Sequence, residues 1–90
     1  REQLHEKAVR LLYKTSAFHH QNGDYEASLS SVDRLLALEP WSEEAHRQRM
    51  LLLARLGRYS AALRQYDICR RVLHDELNVT PSASTTALFL

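Results

Sequence analysis

Gly23-Asp24-Tyr25-Glu26-Ala27-Ser28-Leu29 returns 34 residues later as Gly57-Arg58-Tyr59-Ser60-Ala61-Ala62-Leu63, and Asp33 recurs as Asp67 at the same offset. A period of ~34 residues is the length of one helix–turn–helix unit in a stacked helical repeat. One such unit cannot bury its apolar stripe alone, so units pile on each other and leave a curved surface for a partner. The expectation is an all-α fold: stacked antiparallel helical hairpins, a fragment of a right-handed α-solenoid, built for binding and not for catalysis.

Working outward from the repeat, apolar spacing predicts four helices and a partial fifth. Leu4, Ala8, Leu11, Leu12, Thr15 and Phe18 recur at three- and four-residue steps, giving a first helix near residues 2–21. Asn22-Gly23 ends it, because glycine takes the left-handed conformation at little cost. Asp24 caps the second helix, whose stripe is Tyr25, Leu29, Val32, Leu35 and Leu36. Glu39-Pro40 stops that helix, since the residue before proline resists helical geometry.

Ser42 caps the third helix, and Glu43 and Glu44 lie in its first turn, where the helix dipole favours negative charge. Met50, Leu51, Leu52, Leu53 and Leu56 make it apolar around much of its circumference, as expected of a helix packed on two sides. Gly57 ends it. The fourth helix runs from about Tyr59 to Asp75, with Tyr59, Ala62, Leu63, Tyr66, Cys69 or Arg70, and Leu73 on one face. Thr80-Pro81-Ser82 starts the last helix, with proline in its first turn.

Composition narrows the classes. Ninety residues, 44% hydrophobic and 26% charged, make one small domain of ordinary globular character. Two Gly and two Pro are too few for a sheet-rich fold with many tight turns. No apolar run approaches the ~20 residues of a membrane span, and no secretory signal opens the chain. Cys69 is alone, which excludes an internal disulfide and a cysteine-based zinc site, so the cytoplasm is the expected compartment. The ends read as cut: Arg1-Glu2-Gln3-Leu4 looks like helix interior, and Ala87-Leu88-Phe89-Leu90 stops on an apolar run. Two repeats are also fewer than a stack usually needs, so a piece of a longer protein is expected.

The net charge of +1 hides an asymmetry. Residues 1–46 carry five basic and eight acidic side chains, whereas residues 47–74 carry seven Arg against Asp67 alone. The Arg-rich half could meet nucleic acid or an acidic partner. The plainer reading, favoured here, is that long Arg side chains coat the solvent face of two helices.

No catalytic site emerges. His19 and His20 are adjacent, so on a helix they diverge by about 100°, and His5, His46 and His74 lie on separate helices. A single His–Glu pair is too few ligands for zinc, and surface or half-buried histidines account for all five. Cys69 faces the stack and reads as a small core residue without an activating base. No phosphate-binding glycine loop is present. Neither metal nor cofactor is expected. Trp41, in the turn between repeats, either anchors a partner or, as favoured here, staples the turn against Ala45.

The register fits the tetratricopeptide pattern, which places a glycine between paired helices and an aromatic two positions later. Gly23 with Tyr25 and Gly57 with Tyr59 fill those places. Pro40 falls where the pattern has its closing proline, and Ser28 and Ala62 are the small residues that let paired helices approach. Neither unit has a Trp near its start, and His74 replaces the second unit's proline. The units span about residues 9–41 and 43–76, with a partial helix at about 82–90.

The closing stretch is more distinctive. Leu73-His74-Asp75-Glu76-Leu77-Asn78-Val79-Thr80-Pro81-Ser82, followed by Thr85-Thr86-Ala87-Leu88-Phe89, resembles the end of the bacterial transcriptional activator domain, a Glu-Leu-Gly-Val-x-Pro-Ser pattern before a short helix. Asn78 stands for the usual glycine and also tolerates the left-handed conformation. Leu36-Ala37-Leu38-Glu39-Pro40-Trp41-Ser42-Glu43-Glu44-Ala45-His46-Arg47 and Leu56-Gly57-Arg58-Tyr59-Ser60-Ala61-Ala62-Leu63-Arg64-Gln65-Tyr66 are similar to the same family, so the resemblance covers almost the whole chain.

That resemblance implies a regulator of the antibiotic-regulatory (SARP) type or a larger relative with an ATPase module. There the helical domain follows a winged-helix DNA-binding domain, packs on it and supports dimerisation on direct-repeat operators. DNA contact would then belong to a part of the parent outside these 90 residues. A second role is contact with RNA polymerase, and the alternative is a general peptide-binding adaptor outside transcription. Direct nucleic-acid binding by the Arg-rich unit is a third reading. If the inner helices line a groove, the register puts Arg10, Tyr13, Lys14, Ala17 and His20 there from the first unit. Arg47, Leu51, Ala54 and Arg55 come from the second, which suits an acidic or amphipathic segment. Tyr13 and Ala17 occupy positions where co-chaperone carboxylate clamps have Lys and Asn, which argues against that use. Apolar faces on the first helix and on Leu88-Phe89-Leu90 predict self-association.

Overall fold

In the computed structural model, which describes residues 2–89 (of Phe89 the backbone only), every regular element is helical. Helix α1 spans Glu2–Gln21, α2 Tyr25–Leu38, α3 Glu43–Arg55, α4 Tyr59–Leu77 and α5 Ala83–Thr86, with a 3₁₀ turn at Ala87–Phe89. No strand occurs among the described residues. α1 packs on α2, α2 on α3, and α3 on α4, the order of a stacked helical repeat. The molecule measures 32 × 32 × 17 Å, a slab rather than a sphere.

Local chemistry sets the helix ends. Gly23 and Gly57 adopt φ +75° and +76°, and the backbone N–H of the next residue reaches back five positions each time. Asp24 N–H donates to the His19 carbonyl and Arg58 N–H to the Leu53 carbonyl, both at 2.8 Å. The two turns are copies, as the repeat predicts. Asp24 Oδ1 accepts from Ala27 N–H at 3.1 Å, and Ser42 Oγ accepts from Ala45 N–H at 3.2 Å, so both expected caps form. Asn78 takes the left-handed conformation, φ 53°, in the role expected of a substitute glycine.

Two buried clusters hold the slab together. Leu12, Leu29, Val32, Leu35, Ala45, Leu52, Leu53 and Ala62 fill the larger, and Met50, Cys69 and Leu73 the smaller, beneath the closing segment. Ser28 and Ala62, the small residues of the two repeats, are both buried. Ser28 Oγ donates to the Ser16 carbonyl at 2.9 Å, and the two hydroxyls lie 2.8 Å apart. Cys69, and not Arg70, takes the inward place on α4; burial pushes its thiol up to about 11.

Several expectations need correction. α4 continues past Asp75 to Leu77, where Asn78 in the left-handed conformation provides the stop. Pro81 precedes the last helix instead of opening it, since Ser82 is the cap and accepts from Thr85 N–H. On α4, Tyr59 and Leu63 face solvent while Gln65 turns inward. On α3, Leu51 is exposed. His46 is fully buried, not at the surface. Trp41 remains 44% exposed in the α2–α3 turn. On α1 the apolar stripe is buried only at Leu12; Leu4, Leu11 and Phe18 stay exposed.

Candidate functional site

The inner helices α1 and α3 face each other across a cleft of about 260 Å³. Tyr13, Ala17, His20 and Leu51 line it together with Ser16, Gln21, Gln48 and Leu52. These four are the predicted groove residues that the fold brings to this cleft, three from α1 and Leu51 from α3. The floor is Ser28 with Ser16 above it, so the bottom of the cleft is a satisfied pair of hydroxyls. The Tyr13 and Ser42 hydroxyls share a hydrogen bond at 3.0 Å, which fixes the ring at one end. His20 stands edge-on to Tyr25 at 5.3 Å, closing the other end. Burial raises the Tyr13 phenol above its ordinary value against the lowering effect of Ser42, so it stays a neutral hydrogen-bonding group.

The other five predicted groove residues do not line this cleft. Arg10 and Lys14 are exposed on α1 without an ion-pair partner among the described residues, and Ala54 is half-buried on α3. Arg55 stacks over the Tyr25 ring at 5.6 Å and donates to its hydroxyl at 3.2 Å. Arg47 turns away to the closing segment, donating to Thr85 Oγ1 at 3.2 Å beside Glu43 at 3.6 Å. The cleft wall is therefore neutral and amphipathic. Charge was legible in the sequence; which way it points was not.

The same redirection affects the whole Arg-rich half. Arg49 pairs with Asp33, Arg58 with Glu26, and Arg70 and Arg71 share Asp67. With Arg47 and Arg55 also engaged, Arg64 alone among these seven has no partner among the described residues. Four carboxylates (Glu43, Asp33, Glu26 and Asp67) thus compensate part of this positive charge within the fold.

Sequence reasoning missed the role of Glu43, whose carboxylate does more than favour a helix dipole. Its Oε2 accepts from Ser82 N–H at 2.8 Å, from Ser82 Oγ at 2.6 Å, and from Thr85 Oγ1. Burial pushes this carboxyl up, but the three hydrogen bonds and Arg47 outweigh it and leave it below the usual carboxylate value. One acidic side chain thus anchors the closing segment to the start of α3. A capping-type Ser followed by Thr three residues on, near an acidic helix start, was the available signal.

Among the described residues, no group of three or more His, Cys, Asp and Glu is placed to hold a metal ion, and no helix is long and apolar enough to cross a membrane. A family model for the bacterial transcriptional activator domain matches residues 1–90, the full length of the chain. The chain belongs to that family. No curated protein and no solved structure matches it. A bacterial transcriptional activator domain is a regulatory unit and not an enzyme family.

Proposed function

We propose that this bacterial transcriptional activator domain works as a protein-interaction scaffold in its parent regulator. It packs on a winged-helix domain of the same chain, supports self-association, and presents a surface to RNA polymerase. The parent's winged helix contacts DNA, and the setting is the cytoplasm. The units at about 9–41 and 43–76, with the partial helix at about 82–90, are the scaffold's modules.

The observation that carries this reading is the full-length family match. Supporting it, Leu4 is 72% exposed and Leu11 64%, too much for two aligned leucines of a finished surface.

Deleting these residues from the parent, then measuring operator binding and transcription in vitro, tests the proposal. Cooperative binding to direct repeats should disappear while single-site binding by the winged helix survives. Unchanged cooperativity and transcript yield would refute the scaffold role. A second reading, a peptide-binding adaptor, has one observation in its favour: Tyr13, Ala17, His20 and Leu51 share a neutral cleft. It predicts that filling the cleft with Ala17→Arg abolishes partner binding and leaves self-association intact.

A further inference from the structure

His46 is the only histidine inside the described structure's core, 3% exposed, and its ring is held from both sides. Nε2 lies 2.7 Å from the Pro40 carbonyl, which can only accept, so Nε2 carries the proton and donates. On the other side the Gln65 amide Nε2 lies 2.7 Å from Nδ1. The orientation of that amide is fixed by Arg49, whose Nη1 donates to Gln65 Oε1 at 2.8 Å. Arg49 Nε in turn donates to Asp33 Oδ1 at 2.6 Å. With Oε1 committed to Arg49, the amide presents N–H to His46, and Nδ1 must accept. The chain Pro40–His46–Gln65–Arg49–Asp33 has one consistent set of donors and acceptors, and in it His46 is neutral.

We propose that this chain is a proton-operated latch: neutral His46 ties α2, the α2–α3 turn, α3 and α4 together, and its protonation releases them. A second ring proton would place Nδ1–H against the Gln65 N–H. Flipping the amide to accept that proton would turn its NH₂ onto the Arg49 guanidinium. No rotation of a single group repairs both contacts, so protonation forfeits either the His46–Gln65 or the Arg49–Gln65 hydrogen bond and loosens the joint of α3 with α4. The charged groups acting on the ring are Arg49, which disfavours a second proton, and Glu43, which favours it; Asp33 stands behind Arg49. Burial is the largest influence, and with Arg49 it holds the imidazole below its ordinary value in spite of Pro40 and Glu43.

The sign follows from linkage. A folded-state histidine held below its unfolded value binds fewer protons than the unfolded chain. Stability is therefore full above the ordinary imidazole value and falls as the pH drops through it.

The test compares thermal unfolding of the unmodified domain and His46→Gln between about pH 7.5 and about pH 5.5, where free histidine titrates. The glutamine amide can donate to Pro40 as the imidazole does, and it does not titrate. The melting temperature of the unmodified domain should fall with acid, and most of that fall should vanish in the variant. The four other histidines are common to both proteins, so their effect cancels in the difference. Imidazole NMR titration supplies a second readout that does not depend on the variant folding. His46 should show the Nε2–H form and a midpoint below the ordinary imidazole value. Gln65→Glu, which turns a carboxylate toward Nδ1, should raise that midpoint. A His46 midpoint at or above the ordinary imidazole value, or an equal acid loss in His46→Gln, would overturn the latch.

Discussion

Glu43 shows how much one side chain can hold. Its carboxylate takes three hydrogen bonds from Ser82 and Thr85 and faces Arg47. Hydrogen bonds to a charged group contribute about 1.5–3 kcal/mol each when buried, and this carboxylate is partly solvated, so Glu43→Gln should cost about 1–2 kcal/mol in total. The same substitution should speed amide hydrogen exchange across residues 80–86 and leave α1 and α2 unchanged. Because the folded carboxyl sits below its ordinary value, its contribution is complete above that value. It is lost as the pH falls through it toward the folded value. Acid unfolding of Glu43→Gln should accordingly be shallower in the carboxylate range. At the core, Leu35 is 1% exposed, and Leu35→Ala should cost about 2–5 kcal/mol by chemical denaturation.

At the scale of elements, the turns between paired helices are interchangeable in geometry but not in what they tolerate. A Cβ added at Gly23 or Gly57 meets nothing within 4 Å, so the positive φ alone sets the cost. Gly57→Ala should lose about 1 kcal/mol, and Gly57→Asn distinctly less, because asparagine visits that region more readily. Helix limits were legible because their causes are local: Asp24, Ser42, Gly23, Gly57 and Asn78 each act within a few residues. The buried side of α4 was harder, since Tyr59 and Leu63 keep helical spacing with Leu73 yet stay exposed. Gln65 turned inward for a partner nineteen residues away, His46, which no periodicity reveals. The cleft was half legible for the same reason. Tyr13, Ala17, His20 and Leu51 follow from register alone. Arg47 and Arg55 were drawn off by Thr85 and Tyr25, 38 and 30 residues distant in the chain.

For the molecule as a whole, the exposed leucines on α1 set the behaviour in solution. Leu11 lines a second hollow with Ala8, Leu12, Ala37 and Leu38, between α1 and α2. Light scattering across a concentration series should show the isolated domain associating, and Leu11→Glu should shift it toward monomer without lowering its melting temperature. The predicted contribution of Leu88-Phe89-Leu90 rests on Leu88, which is 38% exposed; Leu90 and the Phe89 side chain lie outside the described residues. The slab has a further consequence. Each broad side offers roughly 32 × 32 Å, about 1,000 Å² in outline, somewhat more than the ~800 Å² that one partner gives to a stable interface. At 17 Å through, the two sides are separated by little more than a pair of helices. Such a plate can be sandwiched, with one protein on each side at once and neither obstructing the other.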